Sequence, residues 1–190
     1  MPFVAIAAVG SLTWGAFAAV NARKVTRFLA YASINQMGFL LLGAALDTHE
    51  ALRATYVYLL LYATMTGGFM LAYLHINRAD GRQLTFLSDF CGLARAENTV
   101  CWGLAVYLFS MAGIPPLAGF FSKYYIMSAA LSKGLFILVI VALAVSLISA
   151  YYYLRVIKTF WFEEPAAEKQ VAVTLTPVRR RLLSVVEALL

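Results

Sequence analysis

The sequence predicts an all-α integral membrane protein with about five transmembrane helices, the fourth of them broken. Three observations predict it: the composition, a series of long apolar windows, and a lopsided distribution of basic residues. Of the 190 residues 63% are hydrophobic and 13% charged, against roughly 45–50% and 25% in ordinary soluble domains, and the mean hydropathy is +0.80. About 20 apolar residues in a helix cross a hydrocarbon core of roughly 30 Å. Windows of that order lie at 3–20, 28–46, 54–76, 100–131 and 135–162. Their backbones are read as helical, because in lipid a helix satisfies its own amide groups and an open strand cannot.

If the five segments alternate, one side of the membrane receives Arg23, Lys24, Arg27, Arg78, Arg82, Arg95, Arg155, Lys158, Lys169 and Arg179 to Arg181, twelve of the fifteen Lys and Arg residues. The other receives Arg53 and Lys133, and Lys123 is left inside a segment. Basic loops stay on the cytoplasmic or matrix side. The asymmetry accounts for the net charge of +6, so no nucleic-acid partner is needed to explain it.

In chain order, no Lys or Arg precedes the first apolar run and a basic cluster follows it, which favours a retained helix over a signal peptide. The second and third segments have ordinary lengths, with Asp47, His49 and Glu50 read as a solvated loop between them. The connection from Asn77 to Thr99 is mixed in charge and carries the turn signal Asp80-Gly81. The fourth and fifth segments exceed the spanning minimum, which calls for tilt or a break. The bundle is thus expected over 1–162, and 163–190 reads as a polar linker and an amphipathic or truncated C-terminal helix, with Thr176-Pro177 as a start signal. Cys91 and Cys101 are too few and too isolated for a metal site or an iron–sulfur cluster, so any redox centre is expected on another chain.

The stretch "MAGIPPLAGFFSKYYIM", Met111 to Met127, carries the chemistry. A Lys near the middle of a membrane helix costs about 2.5–3.5 kcal/mol on insertion scales. Either its stem lets the ammonium snorkel to the interface, or Lys123 faces a hydrated cavity or a polar partner inside the bundle. Pro115 and Pro116 lack N–H groups and exclude regular helix just before them, so the helix is expected to break at about Gly113 to Ala118. Carbonyls freed at that depth need protein or cavity water, and broken helices commonly build ion sites in transporters. Desolvation favours a neutral amine and a nearby carboxylate or cavity a charged one; a Lys between these pulls can load and unload a proton.

Three ordered stretches resemble the antiporter-like subunits of respiratory complex I, specifically the NADH dehydrogenase subunit 2 / NuoN family: "TRFLAYASINQMGFLLLG" from Thr26, "FSMAGIPPLAGFFSKYYIMSAAL" around the break, and "ISAYYYLRVIKTFW" from Ile148. The resemblance implies that Lys123 is the broken-helix Lys of a proton-transfer chain, with Gly113, Pro115 and Pro116 forming the break. Gln36 stands where the family often has His. Gln does not titrate, so it either relays protons through water or bonds between helices. Thr26 and Ala32 also depart from the family pattern. His75 is a further candidate for the path, or else a snorkelling or hydrogen-bonded residue near the interface. Tyr31, Tyr124 and Tyr125 either line the path or pack.

The chain matches only the later helices of the family, so a subunit split between two chains, or a truncated relative, is expected. By the resemblance it is a non-redox subunit of a proton-translocating NADH:ubiquinone reductase. It would bind no cofactor itself; NADH, FMN, iron–sulfur clusters and ubiquinone would sit on other subunits. Its partners would be other membrane subunits, a chain carrying the earlier helices, and lipids. The location implied is the mitochondrial inner membrane or a bacterial plasma membrane. Two other functions stay open: a bridging subunit with no proton path of its own, and a fragment of an Mrp-type cation/proton antiporter.

Overall fold

The computed structural model describes residues 2–78, 83–163 and 171–173. Helices α1 (Pro2–Asn21), α2 (Val25–Ala45) and α3 (His49–Tyr73) are followed by the short strand β1 (Ile76–Arg78), a 3-10 turn at Leu87–Phe90 and the one-turn helix α4 (Leu93–Ala96). Then come α5 (Asn98–Ala112), α6 (Ala118–Ser132), α7 (Phe136–Phe162) and strand β2 (Val171–Val173), which pairs antiparallel with β1. Among the described residues four helices, α1, α2, α3 and α7, are long and apolar enough to cross a membrane. Helices α5 and α6 have 15 residues each, about 22 Å at the helical rise, so only in tandem do they cross, as the broken fourth segment.

Two expectations need correction. The third helix begins at His49, before the apolar window, because the Thr48 hydroxyl accepts the Ala51 N–H at 3.2 Å and caps it. His49 and Glu50 therefore belong to its first turn and not to a loop. The same helix ends at Tyr73, and Ile76 lies in β1. The C-terminal helix expected from Thr176 lies outside the described residues.

Helices α1 and α2 approach closely because glycines face backbone. A Cβ on Gly15 would stand 2.5 Å from the Asn35 nitrogen, and one on Gly38 would stand 2.7 Å from the Leu12 nitrogen. Ala8, Leu12, Ala16 and Ala19 are buried along the same face of α1, the small-residue packing that membrane helices use in place of a hydrophobic drive. The Asn35 amide ties three helices. It donates to the Leu12 carbonyl at 2.8 Å and accepts from the Ser149 hydroxyl of α7 at 3.0 Å.

One end of the bundle collects the basic residues. The connection after β1 folds across the α1–α2 turn, where Val25 N–H donates to the Thr85 carbonyl at 3.0 Å and Leu87 N–H to the Arg23 carbonyl at 2.9 Å. The Asp89 carboxylate closes that connection by accepting the N–H groups of Thr85 and Phe86. Arg155 reaches from α7 to the Val20 carbonyl at 3.0 Å. At the other end Lys133 bonds to the Leu46 carbonyl. Cys91 lies on the basic side, 3.7 Å from the Glu163 carboxylate; burial first, and that carboxylate second, push its thiol up from the ordinary range.

Candidate functional site

The site grows out of the proline pair. In an unbroken helix the Met111 and Ala112 carbonyls would accept N–H bonds from residues four positions on, which are Pro115 and Pro116 and have none. Both carbonyls are therefore orphaned by sequence. Helix α5 closes just after them on Gly113, whose φ of +80° is left-handed and suits glycine. The Ile114 N–H turns back to the Phe109 carbonyl at 3.2 Å. The Pro115–Pro116 peptide is cis, and α6 restarts at Ala118.

Lys123 takes up the two orphaned carbonyls. Its Nζ donates to the Met111 carbonyl at 2.9 Å and to that of Ala112 at 3.4 Å, and it lies 5.0 Å from the centroid of the Phe39 ring. The side chain is 2% exposed, so Lys123 does not snorkel; it folds back onto the break that precedes it. The fit needs glycine at 113, since a Cβ there would stand 3.2 Å from Lys123 Cδ. Helices α5 and α6 meet closely beside it, where a Cβ on Gly119 would overlap the Ser110 carbonyl. The Gly119 N–H donates to the Ser110 hydroxyl at 3.3 Å, and Ser122 donates to the Gly119 carbonyl at 3.0 Å.

The Met111 carbonyl has a second ligand. Gln36 Nε2 of α2 donates to it at 3.0 Å and stands 3.4 Å from the Tyr153 hydroxyl of α7. The Tyr58 hydroxyl of α3 donates to Gln36 Oε1. Five helices thus converge on one buried polar cluster of Lys123, Gln36, Tyr58, Tyr153 and the Met111 carbonyl. Among the described residues the only buried carboxylate is Asp89, at the basic end and bound to Thr85 and Phe86. No carboxylate of the described residues therefore pairs with Lys123 inside the bundle.

Of the residues singled out from sequence, the structure brings together Lys123, Gln36, Gly113, Pro115 and Pro116. Gln36 bonds between helices. His75 lies just past the end of α3 and bonds through Nδ1 with the Leu71 carbonyl of its own helix at 2.5 Å. Tyr124 is 53% exposed and stacks on Phe120, outside the cluster. Tyr58, Tyr153 and Phe39 escaped the sequence reading. Tyr153 lies inside the quoted Tyr-Tyr-Tyr-Leu-Arg stretch, and Tyr58 shares a helical face with the buried Tyr62, Met65 and Phe69; that spacing could have marked it.

Residues 1–149 match the family model described as NADH:quinone oxidoreductase/Mrp antiporter, transmembrane. Similar curated proteins include NADH-quinone oxidoreductase subunit N 1 of Rhizobium meliloti, 41% identical over 160 residues, and subunit N of Parvibaculum lavamentivorans, 40% identical over 159. Each alignment covers 84% of this chain and 33% of the relative, so the chain spans a third of the length of these proteins. Among solved structures, respiratory complex I from Thermus thermophilus contains a chain with a TM-score of 0.86 at 28% identity, over 100% of this chain and 42% of that one. The Mrp complex from Dietzia sp. contains another, at 0.76 and 28%, over 86% and 30%.

Proposed function

The chain belongs to the NADH:quinone oxidoreductase/Mrp antiporter transmembrane family, and from that premise we propose that it is part of an antiporter-like membrane subunit of respiratory complex I that handles protons through Lys123. The observation that carries this reading is the bonding of Lys123 to the two carbonyls that Pro115 and Pro116 leave open. An ammonium has three N–H donors, and the neutral amine keeps two. Both carbonyls stay served in either protonation state, so a proton can leave without stranding a buried acceptor. The Gln36 amide holds the Met111 carbonyl from the other side, which keeps the break in register while the charge changes.

In this reading an acid that exchanges protons with Lys123 would come from outside the described residues, since the one buried carboxylate among them, Asp89, is committed elsewhere. That supports helices of the earlier part of the subunit, on this or another chain, together with neighbouring complex I membrane subunits, as partners. NADH oxidation and quinone reduction would take place on other subunits. The named curated relatives are bacterial, which supports a bacterial plasma membrane with the basic end in the cytoplasm; they lend no support to the mitochondrial location. An Mrp-type antiporter is a second reading, favoured by the Dietzia likeness.

The test is proton pumping coupled to NADH–quinone turnover in membrane vesicles, with the Lys123→Met and Lys123→Arg variants. Met is expected to abolish pumping while the complex still assembles. Unchanged pumping with Met would refute the proton role and favour a bridging subunit. Loss of NADH-independent cation/proton exchange, with no effect on NADH oxidation, would favour the Mrp reading.

A further inference from the structure

We propose that the cleft between the α1–α2 turn and the outer face of α1 binds an anionic phospholipid of the leaflet at the basic end. The cleft encloses about 610 Å³, and Arg23, Lys24, Arg27, Trp14 and Phe17 give it its character. The three cations are exposed, and among the described residues no acidic one lines the cleft.

The two kinds of lining are ordered along the membrane normal. Arg23, Lys24 and Arg27 stand at the end of the bundle, in the turn after α1 and the first turn of α2. Trp14 lies one and a half to two turns further into α1, about 10 Å below Asn21 at the helical rise. It is 71% exposed and Phe17 is 60% exposed, on a helix long and apolar enough to span. A phosphodiester beside the cations would therefore lay its acyl chain against an aromatic wall at the depth where acyl chains run.

The cations are carried on a fixed frame. Backbone bonds from Val25 to Thr85 and from Leu87 to Arg23 clamp the turn on both sides, and Lys24 Nζ lies over the Phe86 ring, 5.9 Å from its centroid. A free phosphate would use the charges and leave Trp14 and Phe17 uncovered. A zwitterionic lipid would bring its own cation among three others, with no acid of the described residues to receive it. An anionic glycerophospholipid satisfies both zones, and basic residues at a membrane surface favour it.

The full chain, purified from its native membrane in a neutral detergent with the chains that stay bound, is titrated with phosphatidylglycerol or phosphatidylcholine carrying a photoreactive acyl chain. Crosslinks are then mapped. Phosphatidylglycerol is expected to label residues 14–31 at about a hundredfold lower concentration than phosphatidylcholine, from three surface cations. Arg23→Gln/Lys24→Gln/Arg27→Gln is expected to remove that preference. Trp14→Ala/Phe17→Ala keeps every charge, and hence the charge bias that orients the helices, and is expected to weaken labelling about threefold through the lost packing of the acyl chain against the rings. Arg53→Gln/Lys133→Gln, at the opposite end, is expected to change nothing. If the triple variant does not assemble, the lipid comparison on the unmodified protein and the aromatic variant decide. Equal labelling by the two lipids, labelling unchanged in the aromatic variant, full displacement by inorganic phosphate, or a neighbouring polypeptide crosslinked in the cleft would each overturn the proposal.

Discussion

Replacing Gln36 with Leu tests whether the cluster around the break is a coupled unit. The substitution takes the acceptor from the Tyr58 hydroxyl and one donor from the Met111 carbonyl. That carbonyl keeps Lys123 Nζ at 2.9 Å, so it is not orphaned. The Tyr58 hydroxyl is, because Tyr58 is 1% exposed and neither lipid headgroups nor bulk water reach it. An unsatisfied buried hydroxyl costs about 1–3 kcal/mol in soluble proteins, whereas cross-helix couplings in a membrane average about 0.6 and reach about 1.7 kcal/mol. Full burial puts this pair toward the upper membrane value, so a coupling of about 1–1.5 kcal/mol is expected between Gln36→Leu and Tyr58→Phe. The double variant removes both halves of the bond and should recover most of the loss. Reversible unfolding in mixed micelles of mild detergent and dodecyl sulfate, over the four corners of the cycle, measures it. Coupling within about 0.3 kcal/mol of zero, the ordinary error of additivity, would mean that the Tyr58–Gln36 bond does not help hold the site.

Gly119→Ala should be poorly tolerated, because its Cβ would overlap the backbone carbonyl of Ser110 and no rotamer change relieves that; overpacking of about 1–3 kcal/mol should lower the melting temperature, while Gly67→Ala, which meets nothing, should not. At Gly113 the φ of +80° makes Ala cost about 1–2 kcal/mol, and the new Cβ beside Lys123 Cδ should displace the amine, so Gly113→Ala is expected to impair pumping with Lys123 still present. Cys91, with its thiol raised by burial and by Glu163, holds less thiolate at neutral pH than an ordinary cysteine. Alkylation should therefore be slow near pH 7 and accelerate as pH rises, and Glu163→Gln should speed it at fixed pH. A Cys91 alkylated as fast as a free thiol would contradict the contact.

The broken helix was legible in the sequence because its cause is covalent. Two adjacent prolines have no N–H, and this alone fixes which carbonyls open and where α5 must stop. The location of the apolar windows was equally legible, since crossing lipid demands length and composition that no folding partner can supply. The start of α3 was not, because Thr48 caps a turn of polar residues that hydropathy reads as a loop.

What the sequence determined by itself is a bundle of membrane helices, a basic end, a break at about Gly113 to Ala118 and one amine within the bilayer. It left open whether Lys123 points to the interface or back into the bundle. Only the tertiary structure decided that: Lys123 returns to the carbonyls its own prolines orphaned, and Gln36 and Tyr153, 117 residues apart, come within 3.4 Å. Membrane helices carry their hydrophobicity in local sequence. The hydrogen bonds that gather polar groups among them depend on which faces meet, and glycines such as Gly15 and Gly38 settle that by letting one backbone reach another.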